Sequence, residues 1–248
     1  TALQRIGTKD GDPDDPEKGF SSSQADYFVK HWQVIHHQED TDSGFSATLF
    51  KSTDSASTQP YMFAVRGTEP GLPDLLVTDG FDIVADGLAI DQIVDMWNYW
   101  GRLTTAKGDS FIGISLNDDR DLTKSLGRAK EGLSVPLFDM RAEEFIDYLY
   151  TRDDVIIDNS PLGERVRVFE SVFAAEGDPN FSGVLDTPIT LENMAGVTGH
   201  SLGGHLSAGL SRLVPGLNAV TINGAGFTTG SSPGLGGDAE LNIRNLFG

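Results

Sequence analysis

The feature that most restricts this chain is a corner. A β-rich run from Met194 to Thr198 leads into Gly199-His-Ser-Leu-Gly203, and an apolar, helix-spaced segment from Leu202 to Val214 follows. A strand that becomes a helix this abruptly leaves no room for side chains two positions either side of its central residue, and Gly199 and Gly203 remove those clashes. Ser201 sits on the tight turn, and the Leu202 N–H lies at a helix N-terminus, aimed at an incoming oxygen. A serine hydroxyl is a poor nucleophile until a base takes its proton and the developing oxyanion is stabilised. The corner addresses the second need. A further strand signal, Leu217 to Ile222, completes a strand–helix–strand succession of the kind that pairs in parallel.

Upstream, Ser21 to Ser23 precede Ala25, Phe28, Val29 and Trp32 at helical spacing, which predicts a capped helix. Trp32 to Gln38 and Phe45 to Lys51 read as strands joined by the turn-forming Glu39 to Gly44, and Tyr61 to Val65 ends in Arg66-Gly-Thr68. From Asp79 to Ala106 the apolar positions are helical in spacing, with Gly87 as an interruption. Arg141 to Tyr150 predicts a helix and Glu164 to Val172 alternates like a strand; the rest of 107–164 gives little. Residues 1–20 form an acidic arm in which Asp10, Asp12, Asp14 and Asp15 read as a solvated loop rather than a calcium loop. Gly234 to Asp238 looks like one turn of a calcium-binding nonapeptide roll, without neighbouring repeats.

Composition removes several function classes. Eighteen Lys and Arg against 37 Asp and Glu leave a net charge of −19, which repels phosphate backbones and anionic leaflets and speaks against nucleic-acid partners. The absence of cysteine removes disulfides, thiolate metal sites and cysteine nucleophiles together. No run approaches the roughly 18 apolar residues of a spanning helix, so a transmembrane protein is not expected. An apolar content of 38% with 14 Phe suffices for a core, and residues 1–248 are expected to form a single domain. Thr1 follows no charged-then-apolar leader within the sequence, so any targeting signal is expected to be cleaved, absent or elsewhere in the gene product.

Thr198-Gly-His-Ser-Leu-Gly-Gly204, with Phe63-Ala-Val-Arg-Gly-Thr68 well upstream, resembles the class 3 (fungal-type) lipase family. Asn223-Gly-Ala-Gly-Phe227 is more similar to its bacterial branch of secreted lipases. The serine pentapeptide alone fits any α/β-hydrolase; its pairing with Arg66-Gly-Thr narrows the family. The likeness covers about Val34 to Thr68 and Leu191 to Leu246. It implies an α/β-hydrolase fold with a mostly parallel central sheet flanked by helices, and a lid or insertion between the two motifs. It also implies ester hydrolysis with Ser201 as nucleophile, and Thr68 and Leu202 as oxyanion donors. No organic cofactor is implied, and the setting is a secreted, bacterial one.

The remaining triad members are hard to place. In α/β-hydrolases the chain order is Ser, then Asp or Glu, then His. After Ser201 come Asp238 and Glu240, and His205 is the sole later histidine. His205 lies one turn into the helix that Ser201 opens and points along it; His200 adjoins the serine and faces away. His31, His36 and His37 precede Ser201, and on a strand one of the last two faces inward and the other outward. In the resembling lipases a strand placed like Leu241 to Arg244 is followed by a loop bearing the catalytic Asp and later by the His, so the resemblance implies that both lie C-terminal to Gly248, in a further segment of the same gene product.

Residues 79–106 admit two readings. One is an amphipathic lid presenting Trp97, Tyr99 and Trp100 to an oil–water interface; the other is a core helix. Asp79, Asp82 and Asp86 could hold calcium, as in lids of the resembling lipases, or form a solvated face. The functional expectation is a triacylglycerol lipase-like serine hydrolase acting on lipid esters. A phospholipase A1, a short-chain esterase and a non-catalytic binding module are the alternatives.

Overall fold

A computed structural model describes residues 20–67, 89–133, 135, 140–152, 154–160, 163–173, 178–224 and 226. Helix α1 (Ser22–His31) begins at Ser21, whose hydroxyl accepts from the Gln24 N–H while the Gln24 side chain returns to the Ser21 N–H, so two orphan donors are satisfied reciprocally. Strands β1 (Trp32–Gln38), β2 (Ala47–Ser52) and β3 (Tyr61–Val65) follow as an antiparallel meander, with β1 irregular between Val34 and His36. Strand β7 (Met194–His200) lies parallel beside β3, and β8 (Ala219–Ile222) parallel beside β7. Helix α5 (Leu202–Leu213) connects these last two. The larger sheet therefore runs β1-β2-β3-β7-β8.

This corrects the expected α/β-hydrolase architecture. Among the described residues two of the four pairings in the larger sheet are antiparallel. A second, wholly antiparallel sheet stands beside it, ordered β4-β6-β5, from β4 (Ile112–Asp118), β5 (Val155–Ser160) and β6 (Gly163–Phe173). The parallel signal in the sequence was local to 194–222. A strand–helix–strand unit constrains only its own pairing, and a hairpin-connected meander completes the sheet on the other side.

Between 79 and 106 the described part is helix α2 (Ile90–Thr104), and it is core. Ile93, Met96, Tyr99 and Leu103 are buried, Trp100 nearly so, and Trp97 packs half-buried beside them. Tyr99 meets Phe45 and Phe63 ring to ring, with centroids 6.1 and 5.7 Å apart, and Trp100 meets Phe63 at 6.4 Å. The three aromatics of the lid reading thus face protein rather than an oil surface. Each such ring, once buried, contributes on the order of 2 kcal/mol. Together with Leu49, Val197, Leu206 and Leu210 they make one core spanning the larger sheet, α2 and α5.

The smaller sheet has a core of its own. Helices α3 (Arg120–Lys130) and α4 (Ala142–Tyr150) lay Leu122, Leu126, Phe145 and Leu149 on Val166. Asp119 caps α3 by accepting from the Asp121 and Leu122 N–H groups. Ile156 belongs to the main core and Leu116 and Phe169 pack against it, so both cores draw on the smaller sheet. Two polar devices tie the sheet to α2. Asn98 makes a forked contact with Ile114, donating to its carbonyl (2.8 Å) and accepting from its N–H (2.9 Å). Arg167, 8% exposed on β6, donates to both carboxylate oxygens of Asp91 on α2 and to Asp158 at 3.4 Å, with Asp118 beside its Nε at 3.4 Å. Burial works against the Arg167 charge, but these three carboxylates raise its pKa above the ordinary value. Among the described residues no helix is long and apolar enough to cross a membrane.

Candidate active site

The corner in the sequence is a corner in the structure. Ser201 stands between β7 and α5 with φ 54° and ψ −123°, a backbone conformation that L-residues rarely adopt, and it is exposed. Strain of this kind costs about 1–3 kcal/mol and persists only where the surroundings dictate it. The surroundings are close-packed backbone. A Cβ on Gly199 would stand 2.2 Å from the Gly203 carbonyl oxygen, and one on Gly203 would stand 2.4 Å from that of Val65. Any side chain at either place would push the turn open. The Ser201 N–H donates to the Ile222 carbonyl at 2.9 Å, while the Ser201 carbonyl accepts from Gly204 and His205 as the helix begins. Leu202 is the first helical residue, so its N–H has no carbonyl partner within α5 and is available to a negative oxygen.

The end of β3 braces one flank. A Cβ on Gly67 would stand 2.5 Å from the His200 carbonyl oxygen. The preceding Arg66 anchors this segment: its N–H donates to Ser46 and its guanidinium pairs with Asp40 at 2.5 Å. Thr68, the expected second oxyanion donor, lies outside the described residues, as do Asp79, Asp82 and Asp86 and the acids Asp238 and Glu240. Among the described residues no group of three or more acidic or histidine side chains is disposed to hold a metal ion.

The structure brings Gly199, Ser201, Leu202 and Gly203 together and holds the upstream histidines elsewhere. His31 contacts the Tyr27 carbonyl, His37 the Thr48 hydroxyl at 2.9 Å, and His36 the Tyr99 hydroxyl at 2.8 Å. The inward and outward facing of His36 and His37 is as the strand period requires. His36 has its pKa lowered, first by burial and then by Arg102 and His37. His205 is fully buried on α5.

A cleft of about 710 Å³ lies elsewhere among the described residues: it is formed by α2, residues 38–43, β4 and the segment at 180–181. None of its described lining residues comes from β7 or α5. Asp95 in its wall has a raised pKa, mainly through burial, opposed by hydrogen bonds from Thr41 and Ser43 and reinforced by Asp91 and Asp42. Gly204 and Asn223-Gly224, which the sequence shows only as parts of the two motifs carrying the family resemblance, meet beside the corner, where a Cβ on Gly204 would stand 2.9 Å from the Gly224 Cα. No family model, no curated protein and no solved structure matches this chain.

Proposed function

We propose that this protein is a serine hydrolase that cleaves carboxylic esters of lipids, triacylglycerol-like, through an acyl-enzyme on Ser201. The observation that carries the reading is the backbone of Ser201, held at positive φ between a strand and a helix whose first N–H is unclaimed by the helix. In the reaction the Ser201 oxygen bonds to the acyl carbon while a general base takes the hydroxyl proton. The Leu202 N–H stabilises the oxyanion, and Thr68 is the second donor by the family resemblance. The alcohol leaves with the proton, and water then releases the fatty acid and restores the hydroxyl. One such donor typically contributes ~10²–10³ in turnover. The similarity to secreted bacterial class 3 lipases supports lipid esters at an oil–water interface and an extracellular setting. The support comes from the corner and its paired motif, not from the sheet. Calcium at Asp79, Asp82 and Asp86 belongs to the same proposal and is read by the EDTA sensitivity of the activity.

Labelling with a fluorophosphonate tests the reading. The protein is expected to carry the label on Ser201, and Ser201→Ala is expected to lose it by more than about 100-fold. An unlabelled native protein overturns the proposal and favours a non-catalytic binding module, a reading supported by His31, His36 and His37 being engaged away from the serine. Once labelling is established, acyl-chain and headgroup profiling separates a triacylglycerol lipase from a phospholipase A1 or a short-chain esterase.

A further inference from the structure

We infer that the turn closing β8, Ile222-Asn223-Gly224, is a positioning element for the nucleophile, setting the height of Ser201 and the first turn of α5 from the flank opposite Gly67. The inference rests on the proposed role of Ser201 and goes beyond the Gly-x-Ser-x-Gly motif, which contains none of these three residues.

Three observations meet at this turn. Ile222 supplies the carbonyl that accepts the Ser201 N–H, at 2.9 Å. Asn223 adopts φ 48°, the second positive-φ residue other than glycine among those described, in a region that asparagine tolerates better than most side chains. That conformation folds the chain back so that Gly224 meets the helix. A Cβ on Gly224 would stand 3.0 Å from the Gly204 carbonyl carbon and 3.2 Å from the His205 nitrogen, and a Cβ on Gly204 would stand 2.9 Å from the Gly224 Cα. Backbone rests on backbone there, with no side chain able to yield. The first turn of α5 is therefore held between Val65 to Gly67 on one side and Gly224 on the other, and the Leu202 N–H and the Ser201 hydroxyl move with it. Gly226, two residues further on, has no atom of the described residues within 4 Å of an added Cβ.

The pair Gly224 and Gly226 makes the inference testable with one methyl group. Gly224→Ala should push the first turn of α5 by a few tenths of an ångström; Gly226→Ala adds the same methyl to the same segment without contact to the described residues. The measurement is the phosphonylation of Ser201 by a fluorophosphonate, resolved into a maximal rate and a half-saturating concentration, per folded molecule. Because misplacement by 1 Å costs about 10²-fold, Gly224→Ala is expected to slow the maximal rate roughly three- to tenfold. The half-saturating concentration should stay unchanged, and Gly226→Ala should match the native protein. Gly204→Ala presses the same contact from the helix side, meeting the Gly199 carbonyl oxygen at 3.2 Å as well, and should slow the rate at least as much. A native protein that labels, with Gly224→Ala and Gly204→Ala labelling at the native rate, overturns the inference and leaves the nucleophile assignment standing. Loss of folding in both variants overturns it too, since the contact is then structural only. Absence of labelling in the native protein overturns both.

Discussion

The serine corner and the Arg167 cluster are both crowded, but they are crowded with different material. At the corner the close approaches are between main-chain atoms: Gly199 against Gly203, Gly203 against Val65, Gly67 against His200. At the cluster they are between long charged side chains from separate elements: Arg167 and Arg165 from β6, Asp91 from α2, Asp118 from β4 and Asp158 from β5. The first fixes a backbone angle and so a hydroxyl. The second fixes how a sheet sits on a helix. A glycine corner has no slack, because nothing in it rotates away; an ion cluster has rotamers and solvent at its rim, where the Asp91 and Asp118 side chains are 42% and 50% exposed.

The contrast is broken most severely at Gly199. A methyl group there meets the Gly203 carbonyl at 2.2 Å, so Gly199→Ala must open the turn and should reduce fluorophosphonate labelling of Ser201 by ~10²-fold or more. Labelling at the native rate would show that the corner has slack after all. At the cluster, Arg167→Met keeps volume but removes the charge facing Asp158, which is 2% exposed. Taking one partner from a buried pair typically costs about 3–5 kcal/mol, read here as a lower urea midpoint. Arg165 also holds Asp158, at 2.7 Å, which places the expected loss at the lower end. A variant as stable as the native protein would mean that Arg165 alone compensates the carboxylate.

The smallest effect comes from His36, another side-chain contact onto α2. Its folded pKa lies below the ordinary 6.5, so below that pH the unfolded chain binds more protons than the folded one. Stability should accordingly fall as pH drops from 6.5 through the lowered folded value. His36→Gln removes the titration, and its thermal midpoint should decline less over that interval. Parallel pH profiles for the two proteins would place the acid sensitivity elsewhere.

The same contrast explains what was readable in the chain. The corner was legible because it is local: small residues at fixed offsets around Ser201, a β-branched approach and a helical exit dictate it within about a dozen positions. Strands Trp32–Gln38 and Tyr61–Val65 and helices Ala142–Tyr150 and Leu202–Leu213 were visible for the same reason, each carrying its own period. Of the smaller sheet only the central strand was, as the alternation from Glu164 to Val172 that lies within Gly163–Phe173. Helix Arg120–Lys130 has a polar composition with Gly127 inside it and depends on the Asp119 cap and on Phe145 from another helix. Strand Val155–Ser160 carries Asp158, a residue that argues against a buried strand until Arg165 and Arg167 are brought to it. Pairing direction was likewise hidden: β2 meets β3 antiparallel, while β7 arrives beside β3 from more than a hundred residues away. The core placement of Ile90–Thr104 rests on Phe45 and Phe63 standing opposite Tyr99, which no periodicity within the helix contains.

The fork of Asn98 on Ile114 has a consequence for the company this protein keeps with other chains. An amide that both gives to and takes from one residue of β4 imitates what a neighbouring peptide unit would offer. Strands at a sheet's border recruit further strands through such unclaimed groups, and that recruitment seeds aggregation. At Ile114 the invitation has been answered from within, by a helix that cannot be extended sideways.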